Sequence, residues 1–372
     1  MERPSLRPAE RPALPGPDDG TPPPHVAPRP AARPADRRPR PPAAPRTEVV
    51  ADAMPAAVRR EIRPRPGKPL PAGAFPVPLS TLDWLLSRES IAARYVALRD
   101  LLHRPPKDIE RRKARQVLAR DAFLRDVLPQ LRGMLPTGAP ADVAAAVDPG
   151  TAFVLLLVEL GCDAEMPELR HAADLLLARW QMVFVDIERG ENPAVGGAFV
   201  AACRALALLG YADDPRLLGA AEHLARRRVT SENAAESVAG DLLVLASVPE
   251  EKRSAAVQGA ISFCVERAKS VELPAATDES ARTGIGVGDP SDLLELLRAL
   301  AAAGAPRSAP VRDALARLAS RADHRARWKL ERPVGVRLPV PLEREGDLSR
   351  WVTLRALGVM QHFLGLTITG AP

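Results

Sequence analysis

Asp289, Asp292 and Glu295 recur every third residue, which sets three carboxylates along one side of a helix. Carboxylates clustered in this way can hold a divalent cation against a phosphate. The same residues equally make the capped start of a helix, and that plainer reading is the one adopted. Gly284-x-Gly286-x-Gly288 precedes them, as glycines precede a helix in phosphate loops. Here no Lys follows, and Asp289 and Asp292 occupy the place of the anion, so a loop is expected. The histidines, at 25, 103, 171, 223, 324 and 362, have no partner at metal-ligand spacing. Cys162, Cys203 and Cys264 form no Cys-x-x-Cys pair, and Cys203 and Cys264 fall in apolar stripes where a thiol packs. The expectation is no catalytic residue, no metal and no cofactor.

Charge and composition divide the chain. Residues 1–78 hold 22 of the 40 prolines and one aromatic residue, Phe75, with 14 Lys/Arg against 8 Asp/Glu. Such a stretch buries too little apolar surface to offset about 1–2 kcal/mol of backbone entropy per residue, so a disordered Pro/Arg-rich tail is expected over 1–78. Met54 is an alternative start. The remaining residues balance at 38 Lys/Arg against 38 Asp/Glu. A neutral body gives the basic stretch Arg321–Arg332 no specific nucleic-acid role. The longest apolar run, Ala152 to Val158, is far short of the ~20 residues of a membrane span. With an odd number of unpaired cysteines, the expected compartment is the cytoplasm.

The elements that must position any chemistry are helices. Ser80-x-x-Asp83 reads as a capping box, and Ser90 as an N-cap before the stripe Ile91, Tyr95, Leu98, Leu101, Leu102. Pro105-Pro106 ends that helix; others are expected over about 107–120 and 123–131. Between Gly335 and Leu342 the alternation allows at most one short strand. From about residue 150 the chain repeats. An apolar helix closes on Gly161, Gly210 or Gly304, Pro167, Pro215 or Pro310 opens the next helix, and Ala172, Ala220 or Ala314 follows. A weaker copy carries Pro249 and Ala260. Glycine supplies the left-handed residue past a helix end, proline suits a first turn, and alanine lets helices approach closely. Such helix pairs cannot bury their faces alone and must stack.

These motifs resemble the α/α-toroid superfamily of squalene and other terpenoid cyclases and protein prenyltransferase β subunits. More narrowly they resemble bacterial prenyltransferase-like proteins. The matching residues include Trp84-Leu85-Leu86, Ala93 to Leu102, Ala207 to Arg216, Arg327 to Glu331 and Ser349 to Leu357. The resemblance implies an all-α toroid of helix-pair repeats over 79–366, followed by a short C-terminal tail, 367–372. The superfamily's chemistry is not carried over: there is no D-x-D-D cluster, and Asp213-Asp214 lies in a repeat turn. The twelve aromatic residues after residue 78 are too few to panel a carbocation cavity. Pro193-Ala194 stands where related bacterial proteins commonly have Pro-Cys.

In a closed toroid, alternate helices starting near Thr151, Gly197, Val238, Ser291 and Trp351 would share one cavity mouth. Its polar groups would be Asp148, Glu236, Asp241, Asp289, Asp292 and Arg350, suited to a cationic or polar ligand, although helix capping accounts for the carboxylates equally well. The resulting expectation is a degenerate, non-catalytic binding or scaffold module with an unknown protein or small-molecule partner. The rivals are an isoprenoid-acting enzyme and an open HEAT-like solenoid that binds peptides.

Overall fold

A computed structural model of the chain describes residues 73–135, 138–140, 142, 147–230, 238–277, 279–285, 292–333, 338 and 341–369. The expected tail therefore lies outside the described residues up to 72. Strand β1 (Phe75–Pro78) runs directly into α1 (Leu79–Leu85). Ser80 is already inside that helix and Pro78 precedes it without a side-chain cap, so the expected capping box does not form. Ser90 does cap α2 (Ile91–Val96), accepting from the Ala93 N–H, and wider turns carry the helix through Leu101.

Three short helices follow: α3 (Ile109–Gln116), α4 (Ala122–Val127) and α5 (Leu131–Met134). The repeats then give α6 (Pro149–Glu159), α7 (Pro167–Arg179), α8 (Gln181–Glu188), α9 (Gly197–Leu206) and α10 (Pro215–Thr230). Next come α11 (Ala239–Ser247), α12 (Ala255–Arg267), α13 (Leu273–Ala275), α14 (Leu293–Ala302) and α15 (Ala309–Ser320). The antiparallel strands β2 (Trp328–Lys329) and β3 (Leu348–Ser349) lead into α16 (Arg350–Leu364), and β4 (Leu366–Thr369) ends the described chain. The chain is thus mostly helical, and α6, α9, α11, α14 and α16 start within two residues of the expected points.

The punctuation works as its chemistry requires. Gly161 has φ +95°, and a Cβ there would lie 2.8 Å from Tyr95 Cδ1, so it serves both the helix end and the close approach of α2. Ala172, Ala220, Ala260 and Ala314 are all fully buried. Pro249 departs from the pattern: it precedes a single 3-10 turn, and Ser254 caps α12 instead.

Every side chain from Thr151 to Val158 on α6, and from Ala198 to Leu206 on α9, is buried. Helices this apolar all round belong to an inner layer. Contacts pass from α6 to α9, α11, α14 and α16, and α16 also packs on α2. Helices α7, α8, α10, α12 and α15 cover the outside, with α8 on α10 and α10 on α12. Trp180 and Phe184 clasp Phe199 with ring centroids 5.2 and 5.5 Å apart.

Both expected boundaries of the body move outward. β1 pairs in parallel with β4, Phe75 opposite Leu366 and Pro78 opposite Thr369, so residues 75–78 and 367–369 belong to the folded body rather than to tails. Buried Phe75 and Val77 anchor the pair to the core. The alternation of Gly335–Leu342 falls largely outside the described residues.

Candidate functional site

A cavity of about 220 Å³ opens between the α2 segment, α6, α14 and α16. Its walls are apolar, with Val96 and Leu101 from the α2 segment and Trp351, Leu354 and Val359 from α16. Gly358 also faces it, and a Cβ added there would meet nothing within 4 Å. Asp100 stands at its edge, half exposed and held by Arg99. The floor is ionic: Glu159, Arg298 and Arg355.

Four of the inner helices, all but α11, contribute charges to a cluster at that floor, set in otherwise apolar sequence. Glu159 ends α6, Arg204 lies near the end of α9, Glu295 and Arg298 stand one turn apart on α14, and Arg355 is central in α16. Four of them close a cycle. Arg204 donates through Nη2 to Glu159 Oε1 at 2.5 Å and through Nη1 to Glu295 Oε1. Arg298 donates to Glu159 Oε2 at 2.6 Å and to Glu295 Oε2 at 2.7 Å. All four carboxylate oxygens are occupied and the charges cancel. Arg355 is the fifth member, with one bond among the described residues, 3.2 Å from Nη2 to the Glu159 oxygen that Arg298 already uses.

The electrostatics follow from this arrangement. Burial works against the ionised Glu159, yet Arg298, Arg355 and Arg204 outweigh it and hold the carboxyl well below the usual range. Glu295 is likewise held low by Arg204 and Arg298 against burial. Arg298 gains more from the two carboxylates than burial removes, and its affinity for the proton rises. Arg355 goes the other way: burial lowers it, and Glu159 does not compensate fully while Arg298 adds repulsion. A guanidinium nevertheless stays charged, so the cluster carries two negative and three positive charges in the protein interior.

The four expected mouth residues that are described do not line this cavity. Asp148 caps α6, accepting from the Thr151 N–H at 3.0 Å and the Thr151 hydroxyl at 2.7 Å. Asp241 is buried within α11. Asp292 is buried, caps α14 through the Leu294 N–H and pairs with Arg332 at 2.9 Å. Burial pushes its carboxyl up to about 6 against the pull of Arg332. Arg350 reaches Glu89 at 2.6 Å and stacks over the Trp84 ring, tying α16 to the α1–α2 segment. Glu236 and Asp289, like Gly286 and Gly288 of the glycine-rich loop, lie outside the described residues.

The expected triplet is split: Glu295 belongs to the ionic cycle, whereas Asp292 serves its own pair. Cys162 and Cys203 are buried, and burial pushes both thiols up, away from nucleophilic chemistry. In the basic stretch, Arg321 pairs with Glu331, Arg327 with Asp323, and Arg332 with Asp292. Among the described residues no three His, Cys, Asp or Glu side chains converge as metal ligands, and no helix is long and apolar enough to cross a membrane. Comparison with protein-family models, curated proteins and solved structures finds no match to the chain.

Proposed function

We propose that the body is a closed α/α toroid of the prenyltransferase-like, squalene-cyclase-like kind, working as a small-molecule binding module rather than an isoprenoid-acting enzyme. Closure is supported by the packing of α16 on α2 and by the pairing of β1 with β4, which join the two ends of the helical array. An open HEAT-like solenoid would leave those ends apart, each with a polar cap.

The observation that carries the binding reading is the apolar cavity laid on a self-paired ionic floor. Glu159 and Glu295 are ionised and fully hydrogen-bonded by arginines, so neither can protonate an alkene or prenyl leaving group as a general acid. A preformed apolar concavity with a few convergent polar groups is the usual form of a ligand site. Its volume of about 220 Å³ falls below the roughly 300–1,000 Å³ of drug-sized sites, which points to a small ligand.

Indole, a neutral apolar probe, tests the reading by calorimetry. Binding to the wild type is expected and should disappear in Gly358→Leu, which fills the cavity without a backbone clash. Ala301→Leu fills it from α14 and should act alike. Binding that survives both substitutions in folded protein would place the probe elsewhere and refute the reading.

A further inference from the structure

We infer that the cavity is a site for a small organic monoanion, a carboxylate carrying a short apolar tail, with its head group on the Arg355 guanidinium. This rests on the reading of the cavity as a ligand site and adds the chemistry of what it takes.

Charge balance sets Arg355 apart from the other four members. Glu159, Arg204, Glu295 and Arg298 satisfy one another in a closed cycle, and no carboxylate oxygen of that cycle is left without a partner. Arg355 adds a positive charge that the cycle does not need. Its one bond among the described residues, 3.2 Å, goes to an oxygen already taken at 2.6 Å by Arg298. A guanidinium has five N–H donors in a planar fork. Arg355 spends one of them on the cycle while its side chain borders the cavity, 9% exposed. Burying an unbalanced charge is costly. A cavity that keeps one holds it ready for an anion.

The geometry also selects among anions. One surplus charge balances one negative charge; a phosphate dianion or a diphosphate would leave charge uncompensated beside Glu159 and Glu295. A carboxylate matches the guanidinium fork with two parallel hydrogen bonds. Trp351, Leu354, Val96 and Val359 form the apolar wall beside Arg355 and would cover a short hydrocarbon tail rather than a polar one.

Hexanoate and 1-hexanol, which differ only in the head group, separate the two levels of the argument by calorimetry on the full chain. Hexanoate should bind at least about tenfold more tightly than hexanol, the gain of a charge-assisted hydrogen-bonded pair in place of a neutral one. Arg355→Met and Arg355→Gln should abolish that advantage and leave hexanol binding within about twofold. Inorganic phosphate should bind no more tightly than hexanol.

The surplus charge predicts a second readout. Removing Arg355 leaves two carboxylates and two guanidiniums in balance, so ligand-free Arg355→Met should melt at or above the wild-type temperature. Hexanol binding without a hexanoate advantage, or an advantage that persists without Arg355, would overturn the inference while leaving the cavity reading intact. Failure of both probes, together with indole, would overturn both. An Arg355→Met protein that unfolds or melts well below the wild type would show that Arg355 is a structural partner of Glu159, and would overturn the inference alone.

Discussion

Replacing Glu159 with Gln perturbs the ionic floor at its most connected point. The carboxylate accepts from Arg204 at 2.5 Å, Arg298 at 2.6 Å and Arg355 at 3.2 Å. Glutamine keeps the shape and one carbonyl acceptor but removes the charge, leaving three guanidiniums to share Glu295. Breaking a buried ion pair on one side costs about 3–5 kcal/mol, because the remaining charges are stranded away from water. That is a large share of the roughly 5–15 kcal/mol that holds a domain together. At roughly 2–4 °C per kcal/mol for a domain of this size class, the melting temperature should fall on the order of 10 °C. Circular dichroism melts of the single and double variants measure it. Glu159→Gln/Arg355→Met returns the cluster to the wild-type surplus of one positive charge and should regain a substantial part of the loss. A single variant that loses less than about 1 kcal/mol, or a double variant worse than the sum of its parts, would refute the charge bookkeeping.

Three further outcomes follow from the same structure. Trp351 is 5% exposed where α16 meets the cavity, and Trp351→Ala should cost roughly 3–5 kcal/mol, read as a shift in denaturation midpoint, whereas a merely frayed terminal helix would make it nearly neutral. The pH profile should have two limbs. Glu159 and Glu295 are held below their unfolded range, so the stability they give is complete above about pH 4–5 and is lost as the pH falls through their folded values. Asp292 and Glu343, both raised to about 6 by burial, have the opposite sign: the folded state binds their protons more tightly, so stability rises as the pH falls from about 7 toward about 4, and melts of Asp292→Asn should show a smaller rise, the rest remaining with Glu343. Incubation with farnesyl diphosphate, with and without Mg²⁺, should leave the substrate intact by chromatography, since the cavity's carboxylates are committed to arginines.

Local punctuation made most of the helices legible. Glycine at 161, 210 and 304 and proline at 167, 215 and 310 mark repeat ends by backbone chemistry that acts within a few residues, and the inner helices begin where those marks require. The β1–β4 pair was not legible. Each strand is four residues long, β1 contains two prolines, and the pairing joins residues nearly three hundred positions apart. The Ser80 cap failed for a related reason, because β1 feeds α1 through Pro78 and starts the helix earlier.

The candidate site divides in the same way. Asp148 and Asp292 were placed correctly at helix starts, but capping and pairing absorb them. The ionic cycle depends on convergence from three helices, which no spacing within one segment encodes. A signal was present nonetheless: Glu159, Arg204 and Arg355 each interrupt a helix that is apolar nearly all round, where an isolated charge requires a partner.

The central claim is that the two ends of the helical array meet and close the cavity, and a designed cross-link between them tests it directly. Pro76 and Thr367 are opposite one another in the parallel β1–β4 pair, and both are exposed. Neighbouring strands are about 4.8 Å apart, within the Cα separation a disulfide accepts. With both replaced by Cys, mild oxidation should join them rapidly in monomeric protein, seen as a mobility change in non-reducing electrophoresis and by peptide mass mapping of the 76–367 link. In an open array, at roughly 8–10 Å per helix, the ends would be tens of ångströms apart. Absence of the intramolecular link in folded protein would then contradict the closed ring and the cavity built on it.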